Sequence, residues 1–317
     1  MKIVFFGTPA FAANVLTYLL AHHIDVAAVI TKPDRPKGRS LHLTPTPVKE
    51  VALAHHLPVY QPELVSNPDF APVLEAYKAD LFVVVAYGEI IKQHLLDMPP
   101  KGCINLHASL LPKFRGAAPI QRAIISGEKE SGATIIYLVK KMDAGDMIAK
   151  VTVPISVEMT AGELEKELCK SGSHLLLEVI HQIDTDTAKR EVQNEALVTY
   201  APKLELEDCE LRWDKPAEQL HNLVRGVNPF PGAWCKVVVR GEVLRLKLFN
   251  TRVVETQGSP ASILQYDKEG IVIACGEKAL QLLQLQLEGK KTLSGAEFTR
   301  GIPQNAIQFT CSHDLPT

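Results

Sequence analysis

Four short runs constrain this chain more than anything else in it: KIVFF at 2–6, VAAVI at 26–30, DLFVVVAYG at 80–88 and CINLH at 103–107. Each is apolar almost from end to end, and segments with helical spacing stand between them. Strands without polar alternation are those covered on both faces, as in a parallel sheet flanked by helices. The first run is followed by a Gly-Thr-Pro turn and then by Phe11, Val15, Leu16, Leu19 and Leu20 at helical spacing, a β-turn-α opening. The spacing predicts further helices near 45–56, 69–78, 89–96, 118–126 and 161–183, with strands at 133–139 and 147–153. An α/β fold is expected, with an N-terminal Rossmann-like, mostly parallel sheet and helices on both faces. Past TYAPKLELEDCELRW the pattern changes to one helix at 216–226, the turn-rich NPFPGAW and several β-rich runs, which read as a small barrel or sandwich. The expected division is 1–189 for the first domain, 190–206 for a linker and 207–317 for the second.

The 317 residues suit two domains, and 46% apolar with 22% charged content is globular. No apolar run approaches the roughly 18 residues of a membrane span. Gly7, Thr8 and Pro9 interrupt the N-terminal stretch as a signal peptide's apolar core would not be. A cytoplasmic protein with no membrane partner is expected. Its 6 cysteines stand singly without a C-x-x-C pair, so reduced thiols are expected rather than staples or zinc. A net charge of -2 leaves only local patches for nucleic acid.

GTPAFA at 7–12 occupies the place of a dinucleotide fingerprint but lacks G-x-G-x-x-G, which disfavours nicotinamide chemistry. More telling is CINLHASLLP. On an extended chain Cys103, Asn105 and His107 project to one face while Ile104 and Leu106 project to the other. A lone histidine near a strand end is most often a satisfied structural residue. This one shares its face with an amide, and the strand runs into a turn where open α/β sheets bind ligands. Cys103 and His107 lack a third metal ligand at useful spacing.

MDAGDM at 142–147 adds two carboxylates, Asp143 and Asp146, around a glycine turn expected at the same end of the sheet. Amide, imidazole and carboxylate together suit acyl transfer. The first two can stabilise an oxyanion, and a base can take a proton from an attacking amine. No nucleophile elbow such as G-x-S-x-G is present, so direct transfer between two bound substrates fits better than an acyl-enzyme.

GTPAFA, TKPDRPKGRSLHLTPTPVK, VVVAYGEII, CINLHASLLPKFRGAAPIQRAI, MDAGDM, LVTYAPKL and NPFPGAW, in this order, resemble the methionyl-tRNA formyltransferase family over essentially the whole chain. The resemblance implies that Asn105, His107 and Asp143 are catalytic. It implies that Ser109, Leu110, Leu111 and Pro112 line the site of 10-formyltetrahydrofolate, the formyl-donor co-substrate, with Tyr87, Gly88 and Ile91 helping to wall the pterin pocket. No metal is implied. The second domain is expected to be an OB-like β-barrel that contacts tRNA. Phe114 stands where the family varies among aromatics, and Ser40-Leu41-His42 follows Arg39 where relatives often carry more lysine.

The resemblance also assigns the loop from Thr31 to Lys49 to the acceptor end of initiator methionyl-tRNA, with Lys32, Arg35, Lys37 and Arg39 as candidate contacts. Long structureless loops inside compact domains are commonly functional. Residues 225–300 carry eleven Lys and Arg against seven Asp and Glu, an excess that a solvated barrel surface explains equally well. The implied activity is transfer of a formyl group to the amino group of methionine on initiator tRNA by a monomeric enzyme. Two rivals stand beside it: a formyltransferase or formyl-folate hydrolase with another acceptor, and a non-catalytic RNA-binding protein. The second of these has no use for the Asn, His and Asp set.

Overall fold

The computed structural model describes residues 1–37 and 42–311. The chain divides into two compact units. The first comprises Met1–Pro119, Glu130–Pro154 and Glu165–Pro202; the second comprises Ile120–Lys129, Ile155–Leu164 and Lys203–Thr317. No helix among the described residues is long and apolar enough to cross a membrane.

The first unit begins with β1 (Lys2–Gly7), α1 (Ala10–Ala21) and β2 (Asp25–Ile30). Next come the short strands β3 (Arg35–Lys37) and β4 (His42–Thr44), then α2 (Pro47–Ala54) and β5 (Val59–Tyr60). α2 starts where Thr46 accepts the Lys49 amide at 3.2 Å, with Pro47 at its first position, where a missing N–H costs nothing. The chain continues through α3 (Ala71–Glu75), β6 (Leu81–Val85), α4 (Gln93–Leu96), β7 (Cys103–His107), α5 (Pro119–Ile125), which belongs to the second unit from Ile120 on, β8 (Glu130–Tyr137), β9 (Met147–Pro154) and α6 (Ala161–Asp184). The sheet order is β5-β2-β1-β6-β7-β8-β9. The pairings from β5 to β7 are parallel, and those of β7 with β8 and β8 with β9 are antiparallel.

The apolar runs lie where both faces are covered: β6 is buried at every position, and Ile3 to Phe6 are fully buried. α6 lies on the face to which Leu106 points. A Cβ at Gly172 would come within 2.9 Å of the Leu106 side chain and 3.3 Å of Ala133 Cβ. The opposite face is also core near the start of β7, where Cys103 joins Phe82, Val84, Leu95 and Leu96. The helix expected over 89–96 is confined to Gln93–Leu96, because Glu89 and Ser66 hold the preceding loop through Val65, Ile90 and Lys92.

In the second unit α7 (Ala217–Gly226) precedes β10 (Ala233–Val239), β11 (Glu242–Val254), β12 (Ile263–Asp267), β13 (Gly270–Ala274), β14 (Ala279–Leu287) and β15 (Leu293–Ser294). α8 (Gly295–Gly301) and β16 (Ile307–Phe309) follow. The barrel-like sheet runs β12-β13-β14-β11-β10-β16, antiparallel throughout, with β15 on β14. β11 shifts register twice around Asn250 against β14, and such bulges let a long strand bend. Trp213, Leu220, Val224, Leu246, Leu280 and Phe309 fill the interior.

Candidate active site

Asn105 and His107 project from β7 away from α6, as strand alternation requires. His107 is 6% exposed, and its Nε2 donates to the Phe114 carbonyl oxygen at 2.9 Å. A carbonyl only accepts, so this nitrogen carries a proton. Nδ1 faces Asp143 Oδ2 at 3.7 Å, an ion-pair separation rather than a hydrogen bond. Asn105 is half-buried, and its amide has no hydrogen-bond partner among the described residues.

Asp143 does not arrive by the expected route. β8 runs antiparallel to β7, with Ile104 opposite Tyr137 and His107 opposite Thr134. The β8–β9 loop therefore leaves the sheet beside the start of β7, and it meets His107 by folding back over the sheet. Asp143 sits there at φ 49°, a left-handed conformation that costs a non-glycine residue about 1–3 kcal/mol unless its surroundings fix it. Its Oδ2 accepts the Gly116 amide at 2.8 Å, and its carbonyl accepts Gln193 Nε2 at 2.7 Å. Glycine is required two residues on, since a Cβ at Gly145 would lie 1.7 Å from the Tyr137 carbonyl oxygen. Asp146 serves the ladder instead, its carbonyl accepting the Tyr137 amide at 2.9 Å.

The turn after β7 is internally held. Ser109 is fully buried and donates to the Lys113 carbonyl at 2.7 Å, while Thr134 donates to the Ser109 carbonyl at 2.7 Å. Leu111 packs with Ile136 and Met147. Leu110 and Pro112 are half-buried. At the end of β6 the Tyr87 ring stands edge-on to Phe6 at 5.7 Å, and Ile91 joins the same core. Burial pushes the Tyr87 phenol well above its ordinary value, and its hydroxyl has no partner among the described residues. Ala86 and Gly88 are exposed with φ of 45° and 85°, and Ile90 is 70% exposed. The wall beside β7 thus presents backbone and one aliphatic side chain, while Ser109, Leu111, Tyr87 and Ile91 face inward and shape it.

The candidate basic loop is less structureless than its composition implied. Arg35 pairs with Thr44 and Lys37 with His42 in a small antiparallel ladder. Lys32 pairs with Glu89 and stands 5.4 Å from the Tyr87 ring centre. Lys49 lies in α2 and bonds Asp34 at 2.5 Å, an interaction that holds the Asp34 carboxyl below its usual value. Arg35 is exposed. Arg39 lies outside the described residues.

Sequence reading missed Arg115, Gln193 and Glu195. Arg115 is 1% exposed, and its Nε and Nη2 donate to Gln193 Oε1 at 3.1 and 2.8 Å. Glu195 accepts from Arg115 at 2.9 Å and from Lys141 at 2.7 Å, and the Arg115 hydrogen bond, ahead of that from Lys141, holds its carboxyl down at about 2. A cation preceding a glycine within CINLHASLLPKFRG was the available signal for Arg115; nothing local marks Gln193.

Residues 1–180 match the pattern of the formyl transferase family, and residues 203–303 match that of the formyl transferase C-terminal domain, so the two units together define a formyl transferase. The N-formyltransferase from Helicobacter canadensis, solved in complex with folinic acid and dTDP-3-aminofucose, superposes with TM-score 0.67 at 20% identity over 89% of this chain and 99% of its own. HypX from Aquifex aeolicus, solved in complex with tetrahydrofolic acid, gives 0.64 at 20% identity over 94% of this chain, which spans about half of HypX (46%). Sequence narrows the class further. Over 310 residues, 98% of both chains, this protein is 61% identical to the methionyl-tRNA formyltransferase of Protochlamydia amoebophila (strain UWE25). The chain belongs to the methionyl-tRNA formyltransferase family.

Proposed function

We propose that this protein moves the formyl group of 10-formyltetrahydrofolate to the amino group of methionine esterified to initiator tRNA, with Asn105, His107 and Asp143 as its catalytic residues. The observation that carries the reading is the meeting of an amide without a partner among the described residues, an imidazole and a carboxylate at the end of β7, in a chain of this family. The donor set fits a formyl group. The Asn105 amide is free to donate to the formyl oxygen, and the neighbouring wall of exposed backbone and Ile90 suits a flat heteroaromatic ring.

Bound there, the folate supplies an activated formyl carbon and an amine leaving group. Asn105 orients the formyl oxygen. His107, as an imidazolium, stabilises the charge that develops on that oxygen when the methionine amine attacks, and it does so through its Nδ1–H, because its Nε2 proton is committed to the Phe114 carbonyl. Asp143 accepts the proton released by the attacking nitrogen and keeps the imidazole oriented. The C–N bond to the folate then breaks, and the proton held on Asp143 passes to the leaving nitrogen, which restores the carboxylate. None of these steps calls on a metal.

Initiator tRNA would meet the Arg35–Lys37 ladder and Arg39, where guanidinium groups can grip phosphates or base edges. Lys32, already paired with Glu89, would contribute less charge. The barrel-like unit, an OB-like fold, would supply a second basic surface. The test is a formyl-transfer assay with charged initiator tRNA, free methionine, an amino-sugar nucleotide and water as acceptors. Formylation of the charged tRNA alone is expected. Equal transfer to the sugar nucleotide, or hydrolysis without transfer to tRNA, would overturn the reading.

A further inference from the structure

We infer that Gln193 is a positioning residue for the reaction: with Arg115 it fixes the loop that carries Asp143. The inference rests on the catalytic role proposed for Asp143 above.

Gln193 is 4% exposed and uses its whole amide. Its Nε2 donates to the Asp143 carbonyl at 2.7 Å and to the Gly145 carbonyl at 2.8 Å, spanning the turn. Its Oε1 receives both the Nε and the Nη2 of Arg115. The residues on either side of Arg115 hold the catalytic side chains: the Phe114 carbonyl accepts from His107, and the Gly116 amide donates to Asp143 Oδ2. A closed ring results, from the Asp143 carboxylate through Gly116 and Arg115 to Gln193 and back to the Asp143 carbonyl. One backbone segment and one side-chain pair therefore set both where the Asp143 carboxylate lies and how its backbone turns.

Three observations point to positioning rather than general stability. Asp143 holds a left-handed conformation with φ 49°, which needs external fixing. The Arg115 guanidinium is buried with Nη1 lacking a partner among the described residues, an arrangement poor as a stabilising device, because a buried charge with unmade hydrogen bonds is costly. Finally, only an amide can serve at 193. Two carbonyls require N–H donors and the guanidinium requires an acceptor, so a carboxylate would satisfy Arg115 and repel both carbonyls.

The experiment compares Gln193→Glu, Gln193→Met, Asp143→Asn and the double variant Gln193→Glu/Asp143→Asn by steady-state formylation of charged initiator tRNA. Melting temperature and tetrahydrofolate binding serve as controls. Gln193→Glu and Gln193→Met should each lower kcat by up to about a hundredfold, the scale for misplacing a catalytic group by an ångström, with KM for tRNA near parental. In the Asp143→Asn background the Gln193→Glu change should cost less than threefold more, since its effect passes through Asp143. Parental kcat in both single variants, or a full multiplicative loss in the double variant, overturns the inference. Should Asp143→Asn itself leave kcat unchanged, the failure belongs to the proposed catalytic assignment instead.

Discussion

Asp143 Oδ2 lies 3.7 Å from His107 Nδ1, although the loop bearing Asp143 leaves the sheet beside the beginning of the strand that His107 ends. The pair exists only because nine residues between β8 and β9 fold back across the sheet and are held there from outside. Its chemistry is correspondingly exposed to substitution at a few positions.

His107→Ala and Asn105→Ala should each lower turnover by about a hundredfold or more, the range for removing one oxyanion donor. Both variants should fold, since Asn105 is half-buried without a hydrogen-bond partner among the described residues and His107 bonds a loop carbonyl. Single-turnover formylation reads the chemical step, and tetrahydrofolate binding should change little. Near-parental turnover in either folded variant removes that residue from the mechanism.

Asp143→Asn should be as damaging, because an amide cannot take a proton from the attacking amine or support a cationic imidazole. Asp146→Asn should be milder, since the structure uses the Asp146 backbone rather than its carboxylate in closing the turn. Turnover measured across pH for both variants decides the matter, and a reversed ranking would assign the base to Asp146.

Arg39→Ala should weaken tRNA binding and flatten its dependence on salt, as loss of a phosphate contact does, while tetrahydrofolate binding holds. Arg39→Lys should rescue only in part, because an ammonium lacks the planar fork of donors. Titrations at several salt concentrations supply the slope; an unchanged slope in Arg39→Ala would argue against tRNA at this loop.

The Glu195 carboxyl is held at about 2 by Arg115 and then Lys141, against an ordinary 4.5. A depressed carboxyl contributes stability above its unfolded value and loses it as pH falls through the folded one. Glu195→Gln should therefore lower stability near neutrality by a small amount, given the exposure of the Glu195 carboxylate, and should remove part of the stability loss between about pH 4.5 and about pH 2. Thermal unfolding of parent and variant across that window tests both the sign and the range.

Much of this protein is a local property of its sequence. An apolar run covered on both sides reads as a buried strand wherever it stands, so β1, β2, β6 and β7 were legible, and CINLH coincides with β7 residue for residue. Strand alternation placed Asn105 with His107 because side-chain direction depends only on neighbouring residues. Motif order across the whole chain carried the family, which the match to the formyl transferase patterns bears out.

Other features depended on residues far apart. The sequence implied a regular end-of-sheet loop for Asp143, but strand direction is set by pairing, and the antiparallel β8 reversed it. Arg115 and Gln193 are 78 positions apart, so no periodicity or motif links them. The pairing of Lys32 with Glu89 joins residues 57 positions apart and has no local signal either. Ser109, Leu111 and Tyr87 carried polar or apolar chemistry in sequence, yet whether a side chain faces a ligand or the core is decided by packing. The sequence by itself determined which groups can do the chemistry, since residue identity and short-range geometry are written in it. Only the tertiary structure decided how Asp143 is brought to His107 and what holds it there, because those contacts join segments whose proximity is a consequence of the fold.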